Sequence, residues 1–178
     1  MNKINRTCAV SSIKIDKIGR ISNYSNNKSI REGLIQMSEN CCAFCNCTFS
    51  LSSQYTPHIE HYKPKKMFPN LEKVWHNLFA SCPKCNEYKG DTYPEIKPLK
   101  PDTEEYDFDY WFEIKWETFE IIPNPLRNEQ QQKRAEATIK WLGFNKDSRP
   151  QSRKLISKQF NGSNIEDWSY KFMLQRIS

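Results

Sequence analysis

The chain has 178 residues, 37% of them hydrophobic and 27% charged: the length of one domain, with enough apolar content for a core and too much for a disordered polymer. No apolar run approaches the roughly 20 residues of a membrane-spanning helix, and the opening MNKINRTCAVSSIKIDKIGR lacks the apolar stretch of a secretory leader. A cytoplasmic protein with no membrane partner is therefore expected. Its 27 Lys and Arg against 21 Asp and Glu leave a net charge of +6, which permits nucleic acid without requiring it. Seven cysteines without an export signal point to metal ligands or catalytic thiols over disulfides.

In chain order, residues 1–27 alternate Ile13, Ile15, Ile18 and Ile21 with Lys, Ser and Asn, and read as an extended, loosely ordered arm. Ile30, Leu34 and Met37 follow at helical spacing and predict a short amphipathic helix over 28–39. Most of the Cys and His lie in 40–90. The aromatic segment 106–122 alternates at Phe112, Ile114, Trp116, Phe119 and Ile121, predicting a β-hairpin that turns near Glu117–Thr118 and ends at Pro123 and Pro125. Ala135, Ile139 and Leu142 share one face of a predicted helix over 129–142, with Gly143 as its cap. Two short helices are expected after Pro150, the last carrying Ile165, Trp168 and Phe172. The reading is α+β: an N-terminal arm (1–27), a metal-rich core (28–100), and a hairpin with helical extension (101–178) that packs on it.

Cys42-Ala-Phe-Cys45 and Cys82-Pro-Lys-Cys85 are two CxxC knuckles, each placing two thiolates at one sharp turn. Two such turns close a tetrahedral four-cysteine zinc site. The 36 residues between them exceed a zinc ribbon's separation, so something is inserted. Cys41 and Cys47 compete as ligands in principle, but neither gives the CxxC spacing, and Cys8 is remote. Four thiolates close the coordination shell, so this zinc would hold the fold and any chemistry must come from the insert.

The insert carries His58-Ile-Glu60-His61 between Pro57 and Pro64, in a short β-like stretch. A carboxylate suits Mg²⁺ or Mn²⁺, and a neutral imidazole beside it can take a proton from water. Phosphodiester hydrolysis needs both roles. Asn77 follows in HNL, then Asn86 directly after the last cysteine, and Lys89 three residues on.

The arrangement CxxC, Glu-His, Asn, CxxC-Asn-x-x-Lys resembles the HNH, or ββα-metal, endonuclease motif in its four-cysteine form. The resemblance implies that His61 is the general base, that Glu60 and Asn86 hold the catalytic divalent ion, and that Asn77 braces the loop and orients the base. It implies a phosphate-facing role for Lys89. Glu60 departs from the family's usual Asp. A narrower resemblance runs from about Cys42 to Arg153: the HIEH-aromatic-x-PK stretch, Trp-x-Asn-Leu, Ser-Cys, Lys-Gly-Asp and RAEATIKWLGFN are similar to the HNH subunits of Septu antiphage systems and to retron-associated HNH endonucleases. That resemblance implies a DNA-cutting effector of bacterial defence, controlled by a partner ATPase of the SMC/ABC type; a homo-oligomer within the complex is compatible with it, and the sequence does not set the stoichiometry.

Each residue also has a plainer reading. His58 shares a strand face with Glu60 and is either a further ligand or a structural hydrogen-bonding group. His76 reads as an ordinary surface or core residue. Lys63, Lys65 and Lys66 form a solvated face or a nucleic-acid contact. Tyr110, Trp111, Phe112, Trp116 and Phe119 read mainly as core or partner-facing, with base stacking as the alternative. Arg127, Lys133, Arg134 and Lys140 mix solvated charges with contacts. Two functional alternatives stand: a phage, mobile-element or restriction HNH nuclease acting alone, and a non-catalytic zinc module that binds nucleic acid or protein. The second has no need for Glu60 and His61 together.

Overall fold

The computed structural model describes residues 4, 6, 13–22, 27–49, 57–103 and 105–177. Helix α1 (Asn27–Met37) buries Ile30, Leu34 and Met37 as their spacing requires. It stops at Met37 because Glu39 (φ 53°) and Asn40 (φ 58°) take the left-handed conformation and turn the chain toward the first knuckle. Strand β1 (His58–His61) pairs antiparallel with β2 (Leu78–Ser81), Glu60 opposite Phe79 and His61 opposite Leu78. Strand β2 is wholly buried, with α1 lying against the pair. Helix α2 (Pro83–Lys89) follows, started by Pro83 at its first position and closed by Gly90 at φ 51°. The elements β1, β2 and α2 are the ββα unit.

The C-terminal half begins with a single helical turn, α3 (Phe108–Trp111), capped by Asp107. Strands β3 (Phe112–Lys115) and β4 (Glu120–Pro123) form the expected hairpin as a separate two-stranded sheet. Its turn spans 116–119, where Phe119 takes φ 60° and stacks edge-on against Trp116. Helix α4 (Glu129–Trp141) starts from a capping box between Asn128 and Gln131 and buries Ala135, Thr138 and Ile139. Gly143, at φ 59°, sits where an added Cβ would lie 2.5 Å from the ring of Tyr88 on α2, so its lack of a side chain lets the extension close on the ββα unit.

Helices α5 (Arg149–Gln159) and α6 (Lys171–Leu174) complete the chain. The expected final helix is divided: Ile165 lies in a 3-10 turn (Ile165–Asp167), Trp168 ends it in extended conformation, and Phe172 belongs to α6. The break falls at Tyr170, which takes the left-handed conformation while its N–H donates to the carbonyl of Asn46 in the first knuckle. Docking on the knuckle outweighs continuation of the helix. The described part of the N-terminal arm is also docked, with Ile4, Ile13 and Ile21 buried. Residues 13–22 form a tight hairpin bridged at Ile15 and Ile21, where a loose arm was expected. Among the described residues no helix is long and apolar enough to cross a membrane.

Candidate active site and metal centre

The two CxxC knuckles meet as their spacing implies. The ligand atoms of Cys42, Cys45, Cys82 and Cys85 all lie within 4.8 Å of one another, and all four residues are buried. Cys45 and Cys82 are 3.7 Å apart; a tetrahedron with Zn–S near 2.3 Å has an edge of about 3.8 Å, so the thiolates fit that ion. Their local geometry follows from the chain. In the first knuckle Cys42 donates to the carbonyl of Cys47 while its own carbonyl accepts from Asn46, which turns at φ 59°. In the second, Cys82 caps α2 and its sulfur accepts from the Cys85 N–H.

Of the remaining cysteines, Cys41 is outside the cluster, and burial pushes its thiol up to about 11. Cys47 lies against the cluster, where hydrogen bonding with Cys42 pushes its thiol up. Cys8 lies outside the described residues.

A residue the sequence did not single out completes this centre. Arg149, at the start of α5, reaches Cys85 Sγ at 3.3 Å and Cys82 Sγ at 3.9 Å and donates to the Leu142 carbonyl. Burial alone would lower its pKa, but the thiolates of Cys85 and Cys45 more than reverse this and keep it charged. Four thiolates on a divalent ion leave two negative charges in a buried site, and the guanidinium offsets part of them. Only the fold brings position 149 to positions 82 and 85. Asn46 completes the tie, accepting the N–H of Lys171 through its side chain.

The second site lies on the face where β1 meets α2. His58 and Glu60, two apart on a strand, face Asn86 and Lys89, three apart on a helix, and the two pairs form rungs. Asn86 Nδ2 lies 3.1 Å from His58 Nδ1, and Lys89 Nζ lies 2.7 Å from Glu60 Oε1. An amide that donates through Nδ2 presents Oδ1, the atom a hard cation takes. Because the His58 Nδ1 lone pair accepts from that amide, the donors are one carboxylate and one amide oxygen, a sparse set with the imidazole beside it. It suits an ion that keeps several waters and takes its other ligands from a substrate phosphate.

Lys89 departs from the phosphate-facing role that the resemblance implied. It is fully buried, bonded to Glu60 and to the Gly90 carbonyl, with its ammonium 5.3 Å from the ring centre of Trp141 on α4. The extension covers it, so its charge serves Glu60. The Glu60 carboxylate also accepts the His61 N–H at 2.9 Å.

His61 ends β1 and is half-buried. Its Nε2 lies 3.0 Å from the carbonyl oxygen of Glu72. A carbonyl only accepts, so Nε2 carries the proton and Nδ1 the lone pair. Burial lowers the His61 pKa below its ordinary value, against the opposing pull of the Glu72 carbonyl and Glu60, so the ring is neutral at pH 7.

Asn77 holds the loop that supplies that carbonyl. Buried, it accepts from the Lys63 N–H and donates to the carbonyls of Lys63 and Leu71, tying the two ends of 63–77 together. A further brace comes from Arg6, which donates to the carbonyls of Trp75 and Leu78 on either side of Asn77 and pairs with Asp102 at 2.6 Å. His76 is exposed, 3.8 Å from Asp102.

The other sequence candidates separate by burial and pairing. Trp111 and Phe112 are core, while Tyr110 and Trp116 are exposed. On α4, Lys133 pairs with Glu129, Lys140 with Glu136 and Arg134 with Glu105, while Arg127 lies over Tyr110.

Comparison with known proteins agrees with this geometry. The HNH endonuclease family model matches residues 42–92, from the first knuckle to just past α2. The Septu protein PtuB of Bacillus thuringiensis is 39% identical over 70 residues, 39% of this chain and 27% of that protein. An HNH endonuclease of retron Vc95 from Vibrio cholerae serotype O1 biovar El Tor is 25% identical over 134 residues, 71% of this chain and 62% of that protein. The chain therefore spans less than two thirds of each of these relatives. Residues 42–92, with their paired cysteine knuckles and ββα unit, are an HNH endonuclease domain.

Proposed function

We propose that the chain is a metal-dependent endonuclease that hydrolyses DNA phosphodiester bonds, acting as the nuclease effector of a bacterial antiphage defence system under a partner ATPase of the SMC/ABC type. The observation that carries the chemistry is the bond from His61 Nε2 to the Glu72 carbonyl, next to a carboxylate on the same strand. It sets the tautomer in which Nδ1 accepts a proton from water. Glu60 and Asn86, with His58 beside them, would hold Mg²⁺ or Mn²⁺, which when bound offsets charge on the phosphate and the leaving 3′ oxygen. Lys89 holds the Glu60 carboxylate in place, and Asn77 keeps the 63–77 loop, and so the Glu72 carbonyl, in position. In-line attack would release 5′-phosphate and 3′-hydroxyl ends.

The defence setting and the ATPase rest on likeness to the Septu and retron proteins. The same likeness favours a nuclease that works in the cytoplasm within an assembly, in which a homo-oligomer has a place. The test is plasmid cleavage with Mg²⁺ or Mn²⁺, comparing wild type with His61→Ala, alone and with the co-expressed ATPase. Cutting that requires His61 supports the reading. Undiminished cutting by His61→Ala removes the mechanism, and no cutting under any condition favours a binding module.

A further inference from the structure

The net charge of +6 is not spread over the molecule. Residues 13–22 and 63–73 together hold seven basic residues (Lys14, Lys17, Arg20, Lys63, Lys65, Lys66 and Lys73) and two acids (Asp16 and Glu72), a net of +5. The remaining residues come close to neutrality, and many of their basic side chains are paired internally, as on α4.

The two basic segments are joined. The Ile21 N–H donates to the Lys73 carbonyl, the Trp75 N–H donates to the Gly19 carbonyl, and Arg20 bridges Val74. The carbonyl one residue before Lys73 is that of Glu72, the partner of His61. One strip of backbone therefore holds the base through one carbonyl and the 13–22 hairpin through the next.

The hairpin is built to present charge. Ile13 and Ile21 are buried and anchor it, while Lys14, Lys17 and Arg20 are exposed. Its single acid is turned to the backbone: Asp16 Oδ1 accepts the N–H groups of Ile18 and Arg20 at 3.0 and 2.8 Å, which shapes the turn. None of Lys14, Lys17 and Arg20 has a salt-bridge partner among the described residues. Side by side on a ten-residue hairpin, three such cations repel one another, a cost that a polyanion would relieve.

We infer that the 13–22 hairpin is a phosphate-backbone clamp of the nuclease. With Lys65 and Lys66 it grips the nucleic-acid strand beside the phosphate that His61 addresses. This rests on the nuclease reading above and deepens it by naming the element that engages the substrate. Such a clamp reads no bases, so it confers affinity and position without sequence preference. The shared chemistry is a phosphodiester backbone, of duplex DNA or of RNA.

The test uses full-length protein carrying His61→Ala, which binds without cutting. Anisotropy titrations with a short duplex DNA and with the matching duplex RNA, across a range of salt, compare this protein with one that also carries Lys14→Gln, Lys17→Gln and Arg20→Gln. Each lost phosphate contact reduces the slope of log K against log salt by about 0.9 on B-DNA. The triple variant is expected to lose two to three of these, roughly 2 to 3 units of slope, and at least about 10-fold in affinity at moderate salt. The Lys133→Gln, Lys140→Gln pair on α4 is the control and should bind unchanged, with melting curves showing that every variant is folded. The polymer that shows the larger slope change identifies the substrate.

An unchanged slope and affinity in the folded triple variant would overturn the clamp and assign the hairpin to an acidic protein partner. His61-dependent plasmid cutting would in that case leave the nuclease reading standing. Failure of the parent protein to bind either polymer would overturn the clamp as well.

Discussion

The two metal-related regions of this domain are built on opposite principles. The thiolate centre is buried, symmetric in chemistry and closed: four soft ligands from two rigid turns, an arginine from α5 against two of the sulfurs, and Asn46 tied to the start of α6. The β1–α2 face is half-exposed and sparse, with a carboxylate and an amide oxygen as hard donors, one imidazole beside them and a second, that of His61, oriented by a backbone carbonyl. A closed shell can contribute folding energy but offers no position to a substrate. An open face offers positions but contributes little to holding itself in place. The first therefore builds the platform on which the second stands, and variants in the two regions should fail in different ways.

The largest effect should come from the closed centre. Structural zinc supplies on the order of 10 kcal/mol or more of folding free energy. Chelation, or Cys85→Ser, should abolish the cooperative melting transition followed by circular dichroism. A chelated protein that still melts cooperatively would show that the thiolates do not staple the fold.

His61→Ala should lower cleavage by about 100-fold to 10,000-fold, the usual worth of a general base, while leaving the melting temperature essentially unchanged. A matching loss of stability would make His61 a structural residue and erase the contrast between the regions.

Lys89 belongs to the open face yet is fully buried, so it sharpens the comparison. Lys89→Met would strand the Glu60 carboxylate in a largely buried site, and breaking such a pair costs about 3 kcal/mol. A lower urea midpoint is expected together with weaker Mn²⁺ binding. A midpoint equal to wild type would place the Glu60–Lys89 pair in solvent.

Arg149→Met should speed zinc release to a colorimetric chelator. Outer-shell changes of this kind weaken metal affinity by about 10-fold to 100-fold. Arg149→Lys should recover only part of that, because one ammonium does not span two sulfurs and a carbonyl. Release at the wild-type rate in both variants would reduce Arg149 to packing.

The smallest and most specific expectation is in pH. Burial lowers the His61 pKa, so the ring is deprotonated through neutral pH, and the acid limb of cleavage should fall below 6.5, with activity dropping as pH falls through it. A divalent ion at Glu60 would move the limb in the same direction. The sign for stability agrees: a histidine kept neutral by folding favours the native state above 6.5 and ceases to do so as pH falls through its lowered value. A limb above 7 would mean that the ring is held charged and is not the base.

The difference between the regions also explains what could be read from the sequence. Ligand spacing is local, so the paired knuckles were legible, as were β1 from its flanking prolines, α1 and α4 from apolar periodicity, and the β3–β4 hairpin from alternation. Asn77 stood out by its pattern, and its three backbone bonds accord with a loop-bracing role. The environment of Lys89 was not legible, because Trp141, the residue that covers it, lies 52 positions away in sequence. Nor was Arg149, one of several arginines beyond α4 and distinguished only by its place against the sulfurs. The partner of His61 is a main-chain carbonyl, which every residue carries, so no residue type could announce it.

Net charge shows the same division. Composition determined that the chain is only modestly basic, and by itself that is a weak statement about partners. Backbone pairing between the 13–22 hairpin and 73–75 decided that nearly all of the excess gathers beside His61. Side-chain chemistry and short-range spacing belong to the sequence. Which charges are buried, which carbonyl meets which imidazole and which cations stand together depend on contacts between distant segments, and those exist only once the chain has folded.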